Sequence, residues 1–292
     1  MRQTRVSDEH ASLGEMKNLI STYEEIAAGN MRRVRSAVVA KRDFLTEITL
    51  VYNEVIDSYK KELDRLRKKK KLSSANELSL IPRNGRNAAI LLSANTGLYG
   101  DIIHQTVGAF VEQLKTGKVD AIVIGIVGKR LVEEALPGLK FRYFDLPDSS
   151  ATPEAIRSIV LAVVPYEKAV VYHGKFESII TQRPEAFSLA YTPPEPQDEK
   201  QARRERYFFE PGLSEIAIYF EKEIFATIFE QTVHESELAK YASRMVTLDR
   251  ATENIKTRLK RLEVLGRVLT HEMDNKKQQD MLSGMHLWKV RL

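Results

Sequence analysis

The chain has 292 residues, 43% hydrophobic and 29% charged, with 14 Gly and 10 Pro, a composition of folded domains rather than of disorder or collagen. It has no cysteine, which excludes disulfides, thiolate metal sites and a cysteine nucleophile. The net charge of +5 is local: residues 60–71, KKELDRLRKKKK, carry +6, leaving −1 elsewhere. No run of about 18 apolar residues predicts a membrane span, and the basic start MRQTRVSDEH lacks the apolar core of a secretory signal.

Residues 13–66 contain no Pro and only Gly14 and Gly29. Apolar or small residues fall at Leu13, Met16, Ile20, Tyr23 and Ala27, and after a four-residue step at Met31, Val34, Val38, Leu45, Ile48, Tyr52, Val55, Tyr59, Leu63 and Leu66. This spacing predicts one coiled-coil helix with a stutter near Ala27, about 80 Å long at 1.5 Å per residue and ending in the lysine run. A second basic cluster, Arg32, Arg33, Arg35, Lys41 and Arg42, has no acid between Ile26 and Arg42. Such clusters form solvated helix faces or faces that meet acidic partners or phosphates.

The middle of the chain changes pattern. Apolar runs at 88–92, 121–127, 141–144 and 169–172 have strand length, and amphipathic stretches at 102–114, 131–136 and 152–164 separate them. Thr152 followed by Pro153 is an N-cap with proline at the first helical position. Strand–helix alternation at this spacing predicts a Rossmann-like parallel α/β domain over 84–191. A polar, proline-rich linker follows at 192–206. Pro211-Gly212 then opens a second long helix with apolar positions from Leu213 through Ile224, Leu238, Met245, Ile255 and Leu262 to Met273 and Leu282. Over about 75 residues it spans roughly 110 Å. The architecture expected is an antiparallel coiled coil of segments 1–75 and 207–292 beside one α/β domain.

Motifs for chemistry fail on spacing. Gly125-Ile126-Val127-Gly128-Lys129-Arg130 has too few residues between its glycines, and no Ser or Thr after Lys, for a phosphate loop; its glycines are expected to end a strand. Ser93–Gly100 reads as a tight strand-to-helix turn. Asn275 stands where a zinc-protease pattern starting at His271-Glu272 needs its second histidine. No catalytic residue, metal site or cofactor is assigned.

Several stretches, in order, resemble the gamma subunit of F-type ATP synthases. Glu25 to Arg33 is similar to that family's Met-Val-Ala-Ala-x-x-Met-Arg stretch. Ser93 to Gly100 resembles its Ser/Thr-Asp-Arg-Gly-Leu-Cys-Gly turn, with Asn95-Thr96 for Asp-Arg and Tyr99 for Cys. Ile124 to Lys129, Val171 to Ser178 with Gln182 and Pro184, and Tyr207 to Pro211 match further segments. Ala242 to Val246 through Ala251-Thr252-Glu253-Asn254 carries the strongest match. Departures lie at Gly266-Arg267, Thr270-His271 and Asp274-Asn275, where the family has Tyr-Asn, Arg-Gln and Ile-Thr, and before residue 25, where the family's Lys-Ile-Thr-Lys-Ala-Met run is missing; this resembles a divergent or specialised member.

The resemblance implies a non-catalytic rotating shaft, without cofactor or nucleotide. It would lie in a hexamer of catalytic and noncatalytic subunits, with a small epsilon-like subunit and a membrane rotor ring as further partners. It would work at the cytoplasmic face of an inner or plasma membrane, or in an organelle. Met31, Arg32, Arg33, Arg35, Lys41 and Arg42, with Arg244 and Met245, are the expected interface to the ring, the last two more as supports of the coil. Alternatives are the shaft of an F-like ATPase with a different membrane or partner sector and, more remotely, a nucleic-acid-binding coiled coil; an enzyme built on the sheet would have only Ser93, Asn95 and Thr96 at its strand ends.

Overall fold

The computed structural model describes residues 2–70, 81, 83–148, 152–189 and 213–289, apart from the side chains of 2, 3, 42, 54–70, 213, 214, 217 and 284–289. The side chains of the lysine run and of Arg42, the linker 192–206, the Tyr207–Pro211 match and Pro211-Gly212 therefore lie outside the described residues. Helix α1 spans Arg2–Lys70 and α5 spans Leu213–Lys289. Between them come β1 (Asn87–Leu92), α2 (Ile102–Thr116), β2 (Asp120–Ile124), α3 (Ile126–Ala135), β3 (Phe141–Phe144), α4 (Pro153–Val163), β4 (Lys168–Phe176) and β5 (Gln182–Ser188). The chain divides into two compact units, residues 1–27 with 245–292, and residues 28–244.

In the larger unit the strand order is β3-β2-β1-β4-β5. The first four strands are parallel, as their alternation with helices requires, because a parallel return needs a crossover. A fifth strand, which the apolar runs did not mark, joins this parallel sheet: β5 returns from β4 by a hairpin and pairs antiparallel, with Pro184 opposite Gly174. Its sequence, QRPEAFS, has no continuous apolar run because it is an edge strand with little burial. At the opposite edge β3 is four residues long, and Lys129 sits 5.3 Å from the centre of the Tyr143 ring.

Side chains of the central strands alternate between two cores, as the period of two dictates. Ala88, Ile90, Leu92, Ile122, Ile124, Ala169 and Val171 face α4 and the Phe225–Val233 stretch of α5. Ala89, Leu91, Ala121, Val123 and Tyr172 face α2, Val34 of α1, and Leu238 and Tyr241 of α5. Helix α5 thus passes from the core on one face of the sheet to the core on the other. Gly174 lies at this passage, where a Cβ would come 3.3 Å from Ala239 and 2.8 Å from Ile102.

The 121–127 run is divided. Gly125, at φ +96, ends β2, and Ile126 and Val127 begin α3. The expected helix at 131–136 is the second half of this longer one. Gly128 does not end a strand but lies within α3, where a Cβ would sit 2.5 Å from that of Ser93. The α4 cap forms as read, with Thr152 Oγ1 accepting from the Ala155 amide at 3.3 Å.

The helices α1 and α5 pack antiparallel in each unit. In the smaller one, Arg258 donates to Glu9 at 2.7 and 2.9 Å and His10 lies 3.7 Å from Glu263. In the larger, Lys41 pairs with Glu230 at 2.6 Å and Tyr52 donates to Glu221 at 2.9 Å. The predicted seam holds at Ala27, Val34, Tyr52, Ile224, Leu238, Leu248, Ile255 and Leu262, all buried. It departs at Met16, Tyr23, Met273 and Leu282, which are exposed because no other element among the described residues covers their faces.

Candidate functional site

Two groups of residues carry the functional question: the basic stretch of α1, and the place where α5 meets the carboxyl ends of the strands. On α1, Arg32, Arg33 and Arg35 are exposed, while Val34 between them is buried and Met31 packs half-buried against the same core. The helical period explains the split, since residues three apart share a face. Lys41 is half-buried, ion-paired to Glu230 and 5.8 Å from the Phe44 ring centre. Glu230 also faces His234, which sits between Glu230 at 3.8 Å and Glu237 at 3.1 Å. The two carboxylates of Glu230 and Glu237, which accept from the His234 ring, raise its pKa to about 9, against the opposing effect of burial.

Order reverses in this sheet at β1: its crossover through α2 leads to β2 on one side, and β4 lies on the other. Outside the carboxyl ends of the strands at such a reversal, open α/β sheets form a ligand crevice. Here side chains of α5 occupy it. Lys240, 6% exposed, donates to the Ser93 carbonyl at 3.2 Å and to Asp148 Oδ1 at 3.0 Å. Asp148 Oδ2 accepts from the Asn95 amide at 3.0 Å, the Thr96 amide at 2.8 Å and the Thr96 hydroxyl at 2.9 Å. The Tyr241 hydroxyl donates to the Asp148 carbonyl at 3.1 Å.

One turn further along, Arg244 donates to the Gly97 carbonyl at 2.8 Å, and its guanidinium carbon lies 4.0 Å from the centre of the Tyr99 ring. A planar cation over a phenol ring adds an electrostatic contact to the hydrogen bond. Asn95 completes the turn: its amide nitrogen donates to Asp145 at 2.6 Å and to the Leu146 carbonyl at 3.1 Å, and its oxygen accepts from the Ile126 amide. Leu98, exposed at the tip, takes φ +65, a conformation strained for a branched side chain.

The charged groups of this cluster are paired with one another, while the buried Ser93 hydroxyl has no hydrogen-bond partner among the described residues. Burial alone would raise the Asp148 pKa, but the Lys240 charge and the hydrogen bonds from Lys240 and Thr96 outweigh it and hold the carboxyl below its ordinary range. Tyr241 and Tyr99 are both raised, chiefly by burial. Both carboxylate oxygens of Asp148 are engaged by the chain's own donors, so the cluster offers neither a general base nor a cradle for phosphate. Ser93, Asn95 and Thr96, the strand-end polar residues noted in the sequence, are brought together here as parts of a joint. Among the described residues no group of three or more His, Asp or Glu is placed to hold a metal ion. A hollow of about 350 Å³ lies at the opposite, amino end of the strands, by Arg86, Lys118 and Asp120, but Asp120 is already held by Arg86 and by Tyr166.

Of the sequence-predicted interface, Arg32, Arg33 and Arg35 are exposed on the surface, Met31 is half-buried against the core, Arg244 grips the 96–98 turn, and Met245 is half-buried. Sequence reading missed Asp148, Lys240 and Tyr241. The one signal near them was the turn Ser93–Gly100, which marks the strand end but not its partners.

A model of the ATP synthase family matches residues 4–267. The ATP synthase gamma chain of Pelotomaculum thermopropionicum is 20% identical, over 86% of each chain. That of Campylobacter jejuni is 24% identical, over 96% of this chain and 100% of the relative. Among solved structures, a chain of the Tetrahymena thermophila mitochondrial ATP synthase central stalk and c-ring is similar with a TM-score of 0.53 and 15% identity, over 80% of this chain and 99% of that one. The matched region contains both long helices up to residue 267 and the whole sheet, and with it the turn and helix positions that form the joint. The chain belongs to the ATP synthase gamma-chain family as a divergent member, a non-catalytic subunit of the central stalk of F-type ATP synthases.

Proposed function

We propose that this chain is the rotating shaft of its complex. The helix pair turns inside a hexamer of catalytic and noncatalytic subunits, and the sheet domain, with a small epsilon-like subunit, rests on a membrane rotor ring. Ion flux through the membrane sector drives rotation and opens and closes the ATP sites in turn; hydrolysis drives the reverse. The chain binds no nucleotide and no cofactor, and works as a peripheral part of a membrane-bound complex at the cytoplasmic face. No helix among the described residues is long and apolar enough to cross a membrane, which fits that placement.

The observation that carries this reading is the chemistry of the α1 surface. Arg32, Arg33 and Arg35 are exposed around a buried Val34, so they give the shaft a charged skin over an apolar seam. A shaft has to slip past its bearing. Exposed ion pairs contribute only about 0–1 kcal/mol each and exchange readily, whereas a deep apolar contact would hold the shaft in place. We assign Arg32, Arg33 and Arg35 to transient pairing with acidic loops of the catalytic subunits. Lys41, tied to Glu230, serves the helix pair.

The test is ATP hydrolysis by the candidate catalytic and noncatalytic subunits, co-expressed with and without this chain. Steady turnover that requires the chain, and falls when Arg32, Arg33 and Arg35 are reversed to Glu, supports the shaft. Failure of the chain to enter the hexamer, together with salt-sensitive binding to duplex DNA, refutes it in favour of a nucleic-acid protein.

A further inference from the structure

We propose that Asp148 and Lys240, with Tyr241 and Arg244, form a register lock that fixes the sheet domain to one turn of α5 and carries torque between them. The lock is specific to the crevice at the order reversal. It joins three segments far apart in sequence, the turn 93–99, the loop 145–148 and residues 240–244 of α5, through directional bonds that run from the buried Lys240–Ser93 contact out to the exposed Thr96 and Gly97.

Much of the remaining contact between α5 and the sheet is apolar, with the Glu235 carboxylate of α5 near His173 of β4. Phe225, Phe229 and Val233 pack against α4 and the strands, and apolar contact is non-directional, so it resists separation better than sliding. A buried ion pair behaves in the opposite way. Its net contribution to folding is small, but separating its partners leaves a charge without solvent or counter-ion, and that is strongly opposed. Asp148 and Lys240 have side chains 8% and 7% exposed, unlike the exposed pair Arg258–Glu9. The lock also has a direction. One turn before Lys240 the helix carries Glu237, itself buried and held by His234. A one-turn slip that brings Glu237 opposite Asp148 sets two carboxylates together in a buried site.

The mechanical part of this proposal rests on the shaft reading, so two readouts separate them. The first is hydrogen exchange on the full chain alone. In Lys240→Met the unpaired carboxylate leaves the crevice and frees the Asn95 and Thr96 amides, which exchange roughly a hundredfold faster while the Ile90 amide in β1 keeps its rate. In the double variant Asp148→Asn with Lys240→Met, the neutral amide oxygen still accepts from both N–H groups, and exchange returns to within about threefold of the original.

The second readout is ATP-driven ion transport by the assembled complex in vesicles, followed with a voltage-sensitive dye so that the ion need not be known. Lys240→Met keeps hydrolysis but loses transport, and Lys240→Arg restores it. Unchanged amide exchange in Lys240→Met overturns the lock. Transport that falls only in step with hydrolysis overturns its role in torque. If the unaltered chain supports neither hydrolysis nor transport, the shaft reading fails, and the exchange experiment still decides whether the lock exists.

Discussion

Two stretches of the same helix, α5, have similar sequence periodicity and very different surroundings. Between Ile224 and Leu248 the helix is largely buried, and even its polar residues Thr227, Thr232, Ser236, Glu237, Lys240 and Ser243 are covered. Between Asp249 and Ser283 the buried positions are Thr252, Ile255 and Leu262, while Val264, Leu265, Val268, Met281 and Leu282 are exposed. The first stretch has two sheet cores and α1 around it; the second has one apolar stripe to satisfy. A long helix can therefore be a core element and a surface element in succession; polar contacts of the first part are buried, whereas those of the second, such as Arg258 with Glu9, lie on the open surface.

The sharpest way to break that comparison is to truncate a large side chain in each stretch. Phe229 is fully buried between α4 and the strands, and Phe229→Ala is expected to cost about 3–5 kcal/mol through lost burial and a cavity. Leu282 is 67% exposed, and Leu282→Ala should change stability by less than about 0.5 kcal/mol. Urea unfolding of both variants measures the difference; equal costs would mean that the second stretch is as enclosed as the first.

A titration sharpens it further. His234 is held charged by Glu230 and Glu237, with Lys41 of α1 on the same carboxylate, and its pKa rises from the ordinary 6.5 to about 9. A raised cation pKa gives stability that is full below pH 6.5 and is lost as pH climbs through 9. The loss is about 1–2 kcal/mol after allowance for the partial exposure of the group. Urea midpoints at pH 6 and pH 9.5 should differ accordingly, and His234→Gln should remove the difference. In the other stretch, Glu253 and Lys256 pair at 2.7 Å on the open surface.

The smallest expected effect has the opposite sign. Gly266 lies within the helix, and a Cβ there would meet only Val6 Cγ1 at 4.0 Å. Gly266→Ala should raise stability by about 0.5–1 kcal/mol, the helical penalty of glycine, read as an upward shift of the thermal midpoint. Destabilisation would show that this part of the helix needs the missing side chain.

Much of the architecture was legible because it repeats locally. The central strands announce themselves as short apolar runs, and Thr152-Pro153 marks the start of α4 to the residue. β5 escaped because an edge strand needs no apolar run, and α3 was cut short because Ile126 and Val127, helical residues, prolong the apolar look of β2. The heptad reading recovered one line along each long helix but missed Phe225, Phe229, Val233 and Tyr241 as core residues. Their neighbours are strands, which a helix–helix pattern does not represent. The joint was the least legible part. Asp148 and Lys240 are separated by 92 positions, and neither stands in a pattern that names the other; only the fold brings the end of β3 to the end of β1 and lays α5 across both.

The two margins of the sheet have a further consequence for life in a crowded cell. A sheet rim is a template on which another chain can add a strand, and rims that are long, flat and apolar seed fibres. Here one rim ends in β5, seven residues interrupted by Pro184, which has no N–H to offer, and the other in β3, only four residues with Arg142 outward and Lys129 over its tyrosine. The domain can thus wait, before assembly, among many identical copies without recruiting them.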